Sequence, residues 1–138
     1  MKVQAYISYR GHCEEALEFY KKSIGADVTG LMRWKECPDA TMKAPPGFDE
    51  KVMNASFRIG DTLLMADDSP GNAPAEFKGV TLAIEVDDDA EAQRVFTALV
   101  EGGKVTMALT KTFWTSSFGM LTDKFGVPWM VNVAAPKA

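Results

Sequence analysis

The order of strand-like and helix-like periodicities in this chain runs through once and then runs again. Residues 3–9 alternate between apolar and polar, as a strand with one covered face does. Residues 14–23 follow with Ala16, Leu17, Tyr20 and Ile24 at spacings of three and four, and Gly25 supplies a left-handed stop. A strand is expected over residues 26–34, then a Pro/Gly-rich loop to about residue 49. A hairpin of residues 52–59 and 62–66 follows around Gly60-Asp61. The second pass has a strand at 81–86 and a helix at 90–100 striped by Ala92, Val95, Phe96 and Leu99. Gly102-Gly103 stops that helix, residues 104–109 make a strand, and a hairpin of 118–122 and 127–133 turns at Asp123-Lys124-Phe125-Gly126. Glu15-Ala16 in the first helix is matched by Glu91-Ala92 in the second. The stretch 69–78, with Pro70, Gly71 and Pro74, reads as a linker. The chain of 138 residues is thus one domain of two modules, 1–68 and 79–138.

A β-α-β-β-β unit has one helix for four strands, so it covers one sheet face and leaves the other. The expected class is α+β: two tandem modules whose curved mixed sheets surround a cavity, with the helices on the outer face. Such a cavity suits a small molecule. Composition supports a globular chain, with 46% apolar and 25% charged residues. Apolar runs such as residues 63–66 span about a fifth of a membrane crossing, and the N-terminal residues do not read as an export signal. The expected location is cytoplasmic. Net charge is −4 and no segment clusters Lys or Arg, which argues against nucleic acid and against an anionic membrane surface. Cys13 and Cys37 read as free thiols. His12 beside Cys13 would need Cys37 and a fourth donor to hold zinc, and no fourth is in view.

Several segments carry a family resemblance. Glu14-Glu15-Ala16-Leu17-Glu18-Phe19-Tyr20 resembles the opening helix of the vicinal oxygen chelate superfamily, which holds glyoxalases, bleomycin-resistance proteins and extradiol dioxygenases. Ala55-Ser56-Phe57-Arg58-Ile59-Gly60-Asp61, Leu64-Met65-Ala66-Asp67-Asp68, Phe113-Trp114 with Phe118-Gly119, and residues 123–132 resemble its PhnB-like branch. That branch was once labelled a 3-demethylubiquinone-9 3-methyltransferase domain; no motif for a methyl donor is visible here. The resemblance implies a single glyoxalase-like domain and a homodimer. It also implies a divalent metal held by His and Glu on the first and last strands of each module, acting as a Lewis acid. Counted across, those positions fall at Ala5, Leu64, Thr81 and Met130, which offer no imidazole or carboxylate. Their immediate neighbours offer none either. The resemblance therefore implies a PhnB-like protein that binds a small organic molecule with no metal and no other cofactor. The alternative is a metal-dependent lyase or isomerase of the glyoxalase type with ligands elsewhere.

Strand alternation then names a lining. If the inherited positions face the cavity, so do Ile7 and Tyr9 beside Ala5, and Ala83 and Glu85 beside Thr81. Ala55, Phe57 and Ile59 belong under the helix, leaving Asn54, Ser56 and Arg58 toward the cavity, with Met130 and Asn132 on the last strand. The candidate ligand-binding set is Tyr9, Asn54, Ser56, Arg58, Thr81, Glu85, Trp114 and Asn132, with Trp34 as a further aromatic wall. Arg58 suits a carboxylate or phosphate, because its planar fork binds either with two hydrogen bonds. Glu85 is the candidate general base, provided burial raises its pKa; alternatively the two charges pair or sit at a wet strand end. The polar-aromatic loop Phe113-Trp114-Thr115-Ser116-Ser117 either binds or caps core. Asp67-Asp68 reads as a solvated strand end or a cation site.

Overall fold

A helix with apolar residues on one stripe needs a sheet to lie on, and each half of this chain supplies one. The computed structural model describes residues 1–39, 41–69 and 75–135, in two units, Met1–Ala75 and Glu76–Ala138. Half of the expected linker, residues 70–74, lies outside the described residues.

In the first unit the elements are β1 (Tyr6–Ser8), α1 (Cys13–Ile24), β2 (Asp27–Arg33), β3 (Val52–Ile59) and β4 (Thr62–Asp67). The sheet order is β1-β4-β3-β2, with β1 parallel to β4 and the other neighbours antiparallel. Strand β1 is shorter than its alternation: Tyr6, Ile7 and Ser8 stand opposite Met65, Ala66 and Asp67, and Ala5 and Tyr9 bond β4 at its two ends. Helix α1 buries Cys13, Ala16, Leu17, Tyr20 and Ser23. The Tyr20 ring stacks on Phe57 at 6.1 Å between centroids, and Ala55, Leu64 and Ala66 complete the dry face. Gly25 ends the helix at φ 70°, where a side chain would be strained.

The start of α1 is held from a distance. His12 stands at the N-cap without a side-chain bond. Asp68, 1% exposed, does the work instead: Oδ1 accepts from the Gly11 and Cys13 N–H groups at 2.7 and 2.9 Å. Its Oδ2 accepts from the Val52 N–H at 3.1 Å, so one carboxylate ties the helix N-terminus to β3. This corrects the reading of Asp67-Asp68 as a solvated strand end. At the rim, the Arg33 guanidinium grips Glu14 through both nitrogens at 2.7 and 3.1 Å and holds its carboxyl below the usual range.

The second unit repeats the plan with β5 (Leu82–Val86), α2 (Asp89–Leu99), β6 (Lys104–Thr110), β7 (Phe118–Thr122) and β8 (Pro128–Val133), in the order β5-β8-β7-β6. Here the cap is local: Asp88 accepts from the Glu91 N–H at 2.8 Å. Helix α2 buries Ala92, Val95, Phe96 and Leu99 against Leu121, Trp129 and Val131. Gly119 lets the helix come close, since a Cβ there would lie 2.8 Å from the Phe96 ring. Each unit is thus a four-stranded mixed sheet with one helix, an α+β fold without a closed barrel. Among the described residues no helix is long and apolar enough to cross a membrane.

Because Asp68 serves three backbone donors from full burial, Asp68→Asn turns an NH2 group toward at least one of them and removes the charge. The expected loss is roughly 2–4 kcal/mol of unfolding free energy, read from urea denaturation. Unchanged stability would show the carboxylate to be dispensable.

Candidate functional site

The sheet face opposite each helix carries polar side chains that the strands point away from the core. In the first unit β3 puts Asn54, Ser56 and Arg58 there, while Ala55 and Phe57 are buried on the other side. Ser56 shares a hydrogen bond with Thr29 on β2 at 2.9 Å. Tyr6 donates its phenol proton to Asp67 Oδ2 at 2.8 Å, and the Asn54 amide reaches the same phenol. Arg58 is exposed and makes no hydrogen bond or ion pair among the described residues.

Tyr9 requires a correction. It was expected on this face with Ala5 and Ile7, yet it is 2% exposed and shares a 2.9 Å hydrogen bond with the Tyr20 hydroxyl on α1. Ile7 is buried as well, and so is Leu64, the inherited position on β4. The cause is the register of β1. Ile7 pairs with Ala66 and Ala66 with Ala55, all three buried on the helix side, whereas Tyr6 pairs with Met65 and Met65 with Ser56 on the other face.

In the second unit the expected faces are the observed ones. Ala83 and Glu85 are exposed, Thr81, Met130 and Asn132 are half-buried, and Trp129, Val131 and Val133 are buried on the α2 side. Glu85 pairs with Asn132 across the parallel β5–β8 ladder and makes no hydrogen bond or ion pair among the described residues. Trp114 lies over this end of the face. Its indole N–H donates to Asn132 Oδ1 at 3.0 Å, and its ring meets Phe118 and Phe113 edge-on at 5.2 and 4.9 Å. Trp34 sits in a short 3₁₀ turn, Trp34–Glu36, with its indole N–H on the Asp68 carbonyl.

Tyr6 and Phe118 were not among the expected site residues; Phe113 was named only with its loop, and Asp67 only as a strand end or cation site. Tyr6 was legible as the residue of opposite parity to Tyr9, had the pairing of β1 been known. The residues weighed for zinc do not form a site: His12 is exposed beside Glu15, and Cys13 is fully buried. Burial, then the nearby Asp68, Asp67 and Glu14 carboxylates, push the Cys13 thiol far up, away from the thiolate a metal needs. Among the described residues no three His, Cys, Asp or Glu side chains gather as a metal would require.

Comparison with known proteins bears on this arrangement. The family model described as "Glyoxalase/Bleomycin resistance protein/Dioxygenase superfamily" matches residues 2–131. Protein YjdN of Escherichia coli (strain K12) is 34% identical over 140 residues, covering 96% of this chain and 95% of that protein. The crystal structure of protein PA1353 from Pseudomonas aeruginosa is similar with a TM-score of 0.86 and 37% identity, covering 99% of both chains. The PhnB protein from Bacillus cereus is similar with a TM-score of 0.82 and 26% identity, covering 97% of this chain and all of that one.

The Tyr6–Asp67 pair has a consequence in alkali. Desolvation first, then the hydrogen bond and charge of Asp67, push the Tyr6 phenol up from 10.0 to about 12, against a smaller opposing pull from Asn54. A folded-state pKa above the unfolded one means that protonated Tyr6 stabilises the fold below pH 10, and that this contribution is lost as pH rises toward 12. The Tyr6 ring signals should titrate near 12 by NMR, and Asp67→Asn should bring the midpoint down while leaving it above 10. Titration near 10 in the native protein would show the pair to be broken in solution.

Proposed function

This chain belongs to the Glyoxalase/Bleomycin resistance protein/Dioxygenase superfamily, in its PhnB-like branch, and from that membership we propose that it binds a small organic molecule on the sheet faces opposite its helices. One observation carries this reading: those faces present hydrogen-bonded polar groups and aromatic rings, where a purely structural sheet would need only solvated side chains. On the first unit Asn54 and Ser56 are positioned to bond a ligand, and Arg58 is available for a carboxylate or phosphate group. On the second, Thr81, Asn132 and Trp114 play the same part, and Glu85 is available as a base or a counter-charge.

The family's divalent metal does not fit these residues. The inherited positions carry Ala5, Leu64, Thr81 and Met130, and the corrected ones in unit one carry Tyr6 and Met65. Apolar side chains, a thioether and hydroxyls make a poor set for a hard divalent ion. The reading is therefore binding without a resident metal, and no reaction step is routed through one.

The chain further acts as a homodimer in the cytoplasm, in this reading. Its edge strands β2 and β6 expose Leu31, Val105 and Met107, apolar residues that a second copy would cover. The free thiols Cys13 and Cys37 suit a reducing compartment.

Elemental analysis of purified protein should find well under one equivalent of zinc, nickel or manganese per chain, and adding them should not raise the melting temperature. One chelatable equivalent with a melting drop on its removal would favour the metal-dependent lyase or isomerase instead. Sedimentation at micromolar concentration should show a species of twice 15.1 kDa; a monomer alone would remove the dimer.

A further inference from the structure

The loop joining β6 to β7 uses its hydroxyls to hold itself down. Thr112 Oγ1 accepts from the Trp114 and Thr115 N–H groups, and Thr115 donates to the Val133 carbonyl at 2.7 Å. Ser116 and Ser117 both donate to Asp89 Oδ1, at 2.5 and 2.8 Å, which fastens the loop to the first turn of α2. A loop anchored this well could have tucked its apolar side chains away. Instead Phe113 is 97% exposed and Trp114 is 48% exposed. The Trp114 ring plane is set by the Asn132 hydrogen bond and by its edge contacts with Phe113 and Phe118. Rings held rigid and left wet are preorganised for a partner with its own flat apolar surface.

The charge beside those rings is negative. Glu85 is exposed, has no hydrogen bond or ion pair among the described residues, and stands next to Asn132 across the ladder. Asp89 lies at the anchored end of the loop, held in its ionised form below the usual carboxylate range by the Ser116 and Ser117 hydroxyls. Lys111, at the loop's start, is the cation nearest in sequence. The geometry points to an organic cation as the ligand of this face: a flat apolar body against Trp114 and Phe118, its positive charge over the ring faces and toward Glu85. Half-buried Met120 and Met130 offer polarizable walls on the same face. This assignment rests on the proposed small-molecule reading and names the ligand class for the second unit.

Three probes of one shape and different charge test it: 1-methylquinolinium, 1-methylnaphthalene and 1-naphthoate. The readout is the Trp114 indole N–H signal in ¹H–¹⁵N spectra, assigned with Trp114→Phe, with the Trp129 indole, bonded to buried Asp123, as the control for folding. The cation should shift the Trp114 signal saturably and bind about three- to ten-fold tighter than 1-naphthoate. Glu85→Gln should weaken the cation about three- to five-fold, as an exposed charge contact allows, and leave 1-methylnaphthalene unchanged. Trp114→Leu should weaken both by roughly ten-fold or more. Equal binding of 1-naphthoate, or a Glu85→Gln variant that binds the cation like wild type, overturns the cation assignment while the small-molecule reading stands. Probe shifts confined to signals of Tyr6 and Arg58 overturn this site and keep that reading on the first unit. No shift on either face at millimolar probe overturns both.

Discussion

One helix laid across four strands dries one face of a sheet and leaves the other to be dealt with by side-chain chemistry. That asymmetry governs both halves of this chain. On the helix side the positions are filled by volume: Tyr20 stacks on Phe57 in one unit, and Phe96 is admitted by Gly119 in the other. On the far side the same strands carry Asn54, Ser56 and Arg58, or Glu85, Met130 and Asn132. Because successive side chains alternate, the two sets are inseparable. Whatever register buries the core also decides which polar groups face outward.

Register in turn depends on how the ends are tied, and both units use a buried aspartate for this. Asp68 gathers N–H groups from the α1 entrance and from β3, while Asp123 gathers those of Phe125 and Val127 and the Trp129 indole inside the β7–β8 turn. A carboxylate that accepts three or more N–H bonds is satisfied in a dry place where a lone one is costly. Asp68 closes the gap between the end of the sheet and the start of the helix. Asp123 fixes the longer turn, residues 123–127, between β7 and β8.

The elements were legible because their signals are local. Helical stripes, glycine stops and the two hairpins follow from spacing alone, and β3 and β7 run over the residues that alternation names. The second unit's face was legible too, since Leu82, Ile84 and Val86 separate cleanly from Thr81, Ala83 and Glu85. Tyr9 was not. Its assignment rested on Ala5 facing the cavity and on alternation from there, and a shift of one residue in β1 sends every side chain to the other face. Nor was Asp68, since a pair of aspartates after a strand reads as solvated until the chain brings the Gly11 and Cys13 N–H groups to it from 57 and 55 residues away. The Trp114–Asn132 bond belongs to the same class: eighteen residues separate its partners, and nothing in either neighbourhood announces the other.

A repeated fold need not keep a repeated surface. The helix-side positions of the two units are constrained by a neighbour of fixed size, so divergence there requires compensating changes in the helix. The opposite faces have no such neighbour within their own unit. One now carries a tyrosine bonded to an aspartate, with serine, asparagine and an arginine alongside; the other carries tryptophan, phenylalanine and methionines around a glutamate. Both faces keep a methionine on the strand that runs parallel to the unit's first strand, Met65 on β4 and Met130 on β8. The aromatic loop above Asn132 shows the same division within one segment: its hydroxyls bond it to Val133 and Asp89, while the rings of Phe113 and Trp114 stay exposed.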